Sequence, residues 1–420
     1  MFKKLLFVGA LASVFSANGQ DMNYTSQVLD KLTSVELAGR GYVEDGHLKA
    51  ATYIAGEFEK AGLKKFEKTY FQNFSLEANI FPGAMEVQLQ KDIPLKPGED
   101  YIVGPNTPTL KGYYKLVLID SAVVADAKRL KKMSQMDYSK EFIILDDSKV
   151  ILPEQKEFYK FFLQNPWPAA GIIVINDKKL TADIAATQSP QVTLHITRKA
   201  MAVADKVIYV NIEAEVKKVK TQNVVGYVQG TQYPDSFVVV SAHYDHLGKM
   251  GVATYFPGAS DNASGTSMLL NLAQYYAKNP AKYSVVFMAF SGEEIGLLGS
   301  MYYAEHPLFP LKKIKFLFNI DIMGDAADGI TLVNGTTMTS EYNKINSIND
   351  AKKYIPSIQK RGEAAISDHY PFYAKGVRCF FAYSRGKITA YHDITDTKAG
   401  LPLTNYQGCF QLFKDFIAAL

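Results

Sequence analysis

The sequence predicts an α/β protein: a mostly parallel mixed sheet flanked by helices, interrupted by a β-rich insert. Three observations lead there. From about Lys218 onward, apolar strand-like runs alternate with longer amphipathic stretches, the pattern of parallel strands joined by crossover helices. Between about Asn79 and Val216 the texture changes to short apolar runs punctuated by Pro and Gly, which reads as a separate unit with its own small core. The segment from Asn23 to Leu63 is helix-rich. The expected organisation is a leader over residues 1–19, a discontinuous α/β domain over 20–78 and 217–420, and an inserted unit over 79–216.

The first twenty residues, MFKKLLFVGALASVFSANGQ, have a basic start at Lys3 and Lys4, an apolar stretch from Leu5 to about Ser16, and small residues at Ala17 and Gly19. That is the grammar of a cleaved export signal, since the apolar stretch is shorter than the roughly 20 residues of a membrane-spanning helix. The expected location is therefore periplasmic or extracellular, with no membrane attachment after cleavage. In LKAATYIAGEFEKAGL, residues Ala50, Tyr53, Ile54, Phe58, Ala61 and Leu63 share one helical face and Gly62 is placed to end it. MEVQLQ, YKLVLID, EFIILD, GIIVIN and VIYVNIEAEV read as strands of the insert. TQNVVGYVQG, SFVVVSA, SVVFMAF, KIKFLFNIDIM and VRCFFAY read as strands of the α/β part, with helices over SGTSMLLNLAQYYAKN, SEYNKINSINDAKKY and the C-terminus near Leu412.

At 420 residues, 47% apolar and 21% charged, the composition is that of a soluble globular protein. The formal charge of +4 falls to +2 without Lys3 and Lys4, which argues against nucleic acid or a membrane surface as a partner. The two cysteines, Cys379 and Cys409, make neither a disulfide scaffold nor a thiolate zinc site; export permits their pairing, and burial as free thiols is the other reading. The sequence does not settle the oligomeric state.

Residues just beyond the predicted strands carry the chemistry. VVVSAHYDH ends in His243 and Asp245, PGASDNASG presents Asp261, SVVFMAFSGEE ends in Glu293 and Glu294, FLFNID ends in Asp321, and AYSRGKITAYHDITD contains Tyr391, His392 and Asp396. In an open α/β sheet such positions meet on one edge. Taken singly each has an ordinary reading: Asp261 as a helix cap, the histidines as satisfied hydrogen-bond partners, the Glu pair as a solvated helix start. Taken together, imidazoles and carboxylates without thiolate suit zinc or a similar divalent ion in a catalytic site, and so many ligands suit two ions sharing one carboxylate. His246, His306, His47 and His195 lack such a setting and are read as structural.

In order, HYD, GASDNASG, GEE, NID and YHDITD resemble the co-catalytic zinc aminopeptidases of the bacterial leucyl aminopeptidase and aminopeptidase Y type, a family related to glutamate carboxypeptidase, glutaminyl cyclase and the transferrin receptor. The resemblance covers about Asn23 to Gly62, including LTSVELAGR, and about Thr221 to the end. It implies the zinc exopeptidase fold and two Zn2+ ions, His243 and Asp321 holding one, Glu294 and His392 the other, and Asp261 bridging both. Cobalt or manganese would satisfy the same ligand types. It also implies Glu293 as general base toward a metal-bridging water, Tyr391 as oxyanion donor, Asp245 and Asp396 as carboxylates orienting His243 and His392, and a cis peptide between Asp261 and Asn262. The substrate implied is a peptide with a free N-terminus, cleaved after its first residue; the alternatives are a carboxypeptidase or dipeptidase, a glutaminyl cyclase, or a non-catalytic binding protein. The middle segment resembles a protease-associated insert through KGYYKLVLID, AAGIIVIN and VTLHITRKAM, a unit expected to shape substrate access. One departure stands out: where many members have Thr-Pro after the last histidine, this chain has Asp393-Ile394. The ISDHYPF run matches a stretch near the pocket in relatives and is read as supporting structure.

Overall fold

In the computed structural model, which describes residues 20–148, 152–202 and 204–420, the apolar runs form two eight-stranded sheets. The expected leader, residues 1–19, lies outside the described residues. The central sheet contains β1 (Phe71–Ile80), β2 (Glu215–Val228), β3 (Tyr233–His243), β4 (Tyr283–Phe290), β5 (Ile314–Ile320), β6 (Gly329–Val333), β7 (Ile358–Lys360) and β8 (Cys379–Arg385). Their order is β1-β2-β4-β3-β5-β8-β6-β7. The middle of the sheet is parallel, with β3 beside β4 and β5, and β5 beside β8. Toward the edges β1 and β2, β2 and β4, and β6 and β8 pair antiparallel.

Burial on both faces explains why the middle strands read as continuous apolar runs. Successive side chains of a strand point to opposite faces. Val238, Val240 and Ala242 of β3, with Val285 and Phe287 of β4, therefore enter one core, together with Leu29, Ile54, Leu270 and Phe413. Those four come from the helices α1 (Met22–Leu32), α2 (Gly46–Ala61), α3 (Gly265–Lys278) and, at the C-terminus, Tyr406–Ala418. Val239, Val286 and Met288 enter the opposite core with Tyr303 and Phe372. The α2 helix ends where Gly62 adopts a left-handed conformation (φ 77°) that a side chain would resist.

The second sheet lies between β1 and β2 in sequence. Its strands, in spatial order, are Ile93–Pro94, Met85–Gln90, Val207–Ile212, Leu110–Ile119, Glu141–Leu145, Gly171–Asn176, Val192–Thr197 and Tyr101–Val103. β1 and β2 pair without interruption from Phe71 opposite Val224 to Ile80 opposite Glu215. Residues 79–80 and 215–216 thus belong to the central sheet, and the excursion runs from 81 to 214. VIYVNIEAEV, read as one strand, divides at Glu213 and Ala214 because Val207–Ile212 pairs with Met85–Gln90 while β2 pairs with β1. The insert's core, built on Phe142, Ile173, Leu194 and Val210, also takes in Leu247, Met250 and Phe256 from the loop after β3. Cys379 and Cys409 are separate buried thiols. Among the described residues no helix is long and apolar enough to cross a membrane.

Phe287 is fully buried at the centre of the sheet, with its ring 6.5 Å from that of Phe58. Phe287→Ala removes a large contact surface and leaves a cavity, with an expected loss of about 3–5 kcal/mol, measurable by denaturant unfolding.

Candidate metal centre

The parallel middle of the sheet sends β3, β4, β5 and β8 toward one edge, where their following loops converge. His243 is the last residue of β3 and Asp321 follows β5 directly. Glu293 and Glu294 lie on the turn after β4, made tight by the left-handed Gly292 (φ 74°). His392 lies on the loop after β8 with a left-handed φ of 53°. Asp261 sits ahead of α3, and its peptide bond to Asn262 is cis.

Two overlapping clusters result. In the first, His243 Nε2 lies 3.3 Å from Asp261 Oδ1 and 3.2 Å from Asp321 Oδ1. In the second, His392 Nε2 lies 3.1 Å from Asp261 Oδ2 and 3.0 Å from Glu294 Oε2. Asp261 contributes one oxygen to each. The donor atoms of each cluster lie within 4.8 Å of one another. His392 Nε2 is buried and has no aligned hydrogen-bond partner among the described residues despite those short distances, as suits a lone pair aimed at a shared centre. The donors are imidazole nitrogens and carboxylate oxygens, a set that fits a divalent ion such as zinc.

The hydrogen bonds around the clusters decide which nitrogen faces inward. His243 Nδ1 lies 3.2 Å from the backbone carbonyl of Asp245, and His392 Nδ1 lies 3.0 Å from that of Ala182. A carbonyl only accepts, so Nδ1 carries the proton in both rings and Nε2 presents its lone pair. Of the two expected carboxylate partners, Asp245 stands beside its histidine and Asp396 does not. The Asp245 carboxylate is 3.7 Å from His243 Nδ1, farther than its own carbonyl, and it accepts the Glu293 N–H at 3.2 Å. Asp396 does not orient His392; its two oxygens accept the backbone N–H groups of Ser260 and Asp261 at 2.8 and 3.0 Å. The backbone N–H groups of the loop bearing Asp261 occupy both oxygens of Asp396.

The structure also overturns the reading of His246 as merely structural. It is buried, and its Nδ1 lies 2.6 Å from Glu294 Oε1. It therefore donates to one oxygen of Glu294 while the other faces His392. The signal was present as the second His of HYDH, but its carboxylate partner comes from a different strand. In ISDHYPF, Ser367 donates to Asp321 Oδ2 at 3.1 Å, and Asn319 in turn donates to Ser367 at 2.9 Å. The Asp393-Ile394 departure also has physical content: Asp393 Oδ2 accepts from Lys179 of the insert at 3.1 Å, and Ile394 packs against the insert's core.

Residues 223–417 match the profile of Peptidase family M28. The chain resembles that family over this segment. Over 162 residues the chain is 32% identical to Aminopeptidase YwaD of Bacillus subtilis, covering 37% of this chain and 34% of that protein. Another 110-residue match, 36% identical, is to a probable zinc metalloprotease of Pyricularia oryzae and covers 26% of this chain and 22% of that protein. The matches thus span about a third of these curated relatives or less. Among solved structures, the zinc aminopeptidase BSAP from Bacillus subtilis superposes with a TM-score of 0.69 at 17% identity, covering 94% of each chain. The aminopeptidase from Aneurinibacillus sp. strain AM-1 gives 0.64 at 19% identity, covering 95% of this chain and 93% of that one. These likenesses extend the shared fold through the inserted sheet.

Within the α/β domain a cleft of about 330 Å³ opens onto the clusters, at the small end of ligand pockets. Glu293, Tyr391, Ile322, Phe381, Tyr383 and Arg361 line it beside the candidate ligands. The adjacent glutamates differ in electrostatics. Burial pushes Glu293 well above the ordinary carboxylate range; His243 opposes this, and Asp368, Glu294 and Asp321 reinforce it. Burial and Asp261 would also raise Glu294, but His392 and His246 draw it down to about 2. Two neighbouring carboxyls driven apart in this way are suited to different tasks. The Tyr391 phenol is raised by burial and by Asp261 and Glu294, so it stays a hydrogen-bond donor.

Arg40, from the LAGR run, anchors the ligand-bearing loops of the α/β domain from below. It is fully buried and donates to the carbonyls of Tyr244 (2.7 Å), Leu32 (2.8 Å), Pro257 (2.6 Å), Gly258 (2.7 Å) and Asp261 (3.3 Å). That uses the donor capacity of a guanidinium in full. Its neighbour Gly41 is required by close approach, since a Cβ there would fall 2.4 Å from Gly248 Cα. Arg40→Met leaves these buried carbonyls unpaired, and the expected loss of stability exceeds about 3 kcal/mol. Thermal unfolding of the variant against the parent protein measures it.

Proposed function

We propose that this chain is an exported di-zinc aminopeptidase that removes the N-terminal residue from peptides. The observation that carries the reading is Asp261, one carboxylate whose two oxygens serve two separate histidine-and-carboxylate clusters. His243 and Asp321 would hold one ion and Glu294 and His392 the other, with Asp261 between them. Bound zinc would polarise the scissile carbonyl and bring the attacking water's pKa toward neutrality. Glu293 lines the same cleft and supplies the general base: in its ionised form, with the greater proton affinity that burial gives it, it takes the proton from the water and hands it to the leaving amine. Tyr391, held protonated and stacked on His392 with ring centroids 4.0 Å apart, donates its O–H to the developing oxyanion. The family resemblance implies that the free N-terminus of the substrate sits against the ions and the carboxylates beside them in this cleft. That end-recognition is what restricts cleavage to the first residue. Residues 81–214 are read as a protease-associated-like unit.

Incubating the zinc-loaded protein with a panel of short peptides and following products by mass spectrometry tests the reaction. Loss of single N-terminal residues is expected. Loss from the C-terminus would mean a carboxypeptidase on the same site, and loss of ammonia from N-terminal Gln would mean a cyclase. Replacing the two glutamates separates their roles. Glu293→Gln keeps both ions and lowers kcat by about 10²–10⁴-fold, whereas Glu294→Gln loses metal on dialysis. Zinc analysis alongside steady-state kinetics reads both.

A further inference from the structure

The loop carrying His392 is held by the insert. Ala182, on the segment after Gly171–Asn176, exchanges two bonds with it: its N–H donates to the His392 carbonyl at 2.8 Å, and its carbonyl accepts from His392 Nδ1 at 3.0 Å. Lys179, on the same segment, donates to the carbonyls of Thr389 (2.6 Å) and Tyr391 (3.0 Å) and to Asp393 Oδ2 (3.1 Å). Asp393 Oδ2 in turn accepts the Tyr391 N–H at 3.2 Å. Ile394 completes the attachment by packing against the insert's core near Gly98, where an added Cβ would come 2.8 Å from the Ile394 methyl. His392 has the left-handed φ of 53°, a conformation that a free loop would rarely keep for a residue with a Cβ.

We propose that the inserted unit is a positioning element of the metal centre, fixing His392 through the Ala182 carbonyl and the Lys179–Asp393 latch, in addition to any role in substrate access. The chain's own architecture makes this a division of labour between the ions. The partners of His243 come from the central sheet and its loops, whereas the Nδ1 partner of His392 comes from the insert. Disturbing the insert's contact should therefore weaken the ion at His392 and spare the ion at His243. The hydrogen-bond partner of a ligating imidazole typically contributes about 10–100-fold to metal affinity. Lys179 acts one step further out, through the loop, and is a positioning residue that touches neither ion nor substrate.

This inference rests on the two-ion reading above, and the test separates the two. Zinc-free full-length protein is titrated with zinc against a chromophoric chelator, and bound zinc per chain is determined independently. The parent protein should bind two ions; a stoichiometry of one would overturn the two-ion reading before any variant is made. Lys179→Met should weaken one ion by on the order of tenfold and leave the other at parental affinity. Its kcat should fall with KM little changed, and Lys179→Arg, which retains donors, should restore the second ion. Asp393→Asn and Ile394→Ala remove the other halves of the latch, so failure of one variant to fold leaves two that read the same quantity. If the parent binds two ions and the folded latch variants bind both with parental affinity, the insert does not position His392 and the proposal is wrong.

Discussion

The crowding of carboxylates at one buried sheet edge is the constraint from which the rest of the molecule follows. Asp245, Asp261, Asp321, Asp368 and Asp396 are all buried there, with Glu293 and Glu294 beside them. Two such charges 4 Å apart repel by about 4 kcal/mol even at an effective dielectric constant of 20, and each also loses hydration. The fold compensates with specific partners. His246 donates to Glu294, Ser367 to Asp321, and backbone N–H groups to Asp245 and Asp396. Arg40 contributes a buried positive charge beneath the site and is itself lowered by desolvation, with Asp396 and Asp261 opposing that fall. What these partners leave uncompensated is an arrangement of inward-facing donor atoms that could hold a divalent cation.

Seen this way, the inserted sheet is part of how the site is held together. The loop between His243 and Asp261 contributes Leu247, Met250 and Phe256 to the insert's core, and the His392 loop contributes Ile394. Two ligand-bearing loops of the α/β domain are therefore fastened to the same second core. The long antiparallel pair formed by β1 and β2 connects the two sheets, so the attachment is made both through strands and through loops. A loop that needs a left-handed histidine benefits from being fixed on two sides.

Much of this was legible along the chain. Continuous apolar runs such as VVFMAF reported strands covered on both faces, and the candidate ligands were visible because they stand at strand ends or on the loops beyond them, where an α/β sheet places its sites. Other features were hidden because they depend on partners distant in sequence. His246 looked structural because its carboxylate partner, Glu294, lies 48 residues away. Asp396 was assigned to the histidine near it in sequence, yet it serves the Asp261 loop, 136 residues away at its farther contact. The Ala182 carbonyl carries no side-chain signature that could announce its role.

The amino-acid sequence by itself determined the local alphabet: which runs form strands, where the sheet's edge falls, and which residue types capable of binding a divalent ion stand there. Those properties come from periodicity, turn chemistry and ligand type, all of which act over a few residues. Tertiary structure alone decided how the charges are shared, which nitrogen of each histidine faces inward, and that the insert grips the loop of His392. Hydrogen bonding and desolvation in a buried site depend on which groups are brought within about 3 Å of one another, and only the assembled fold sets those distances.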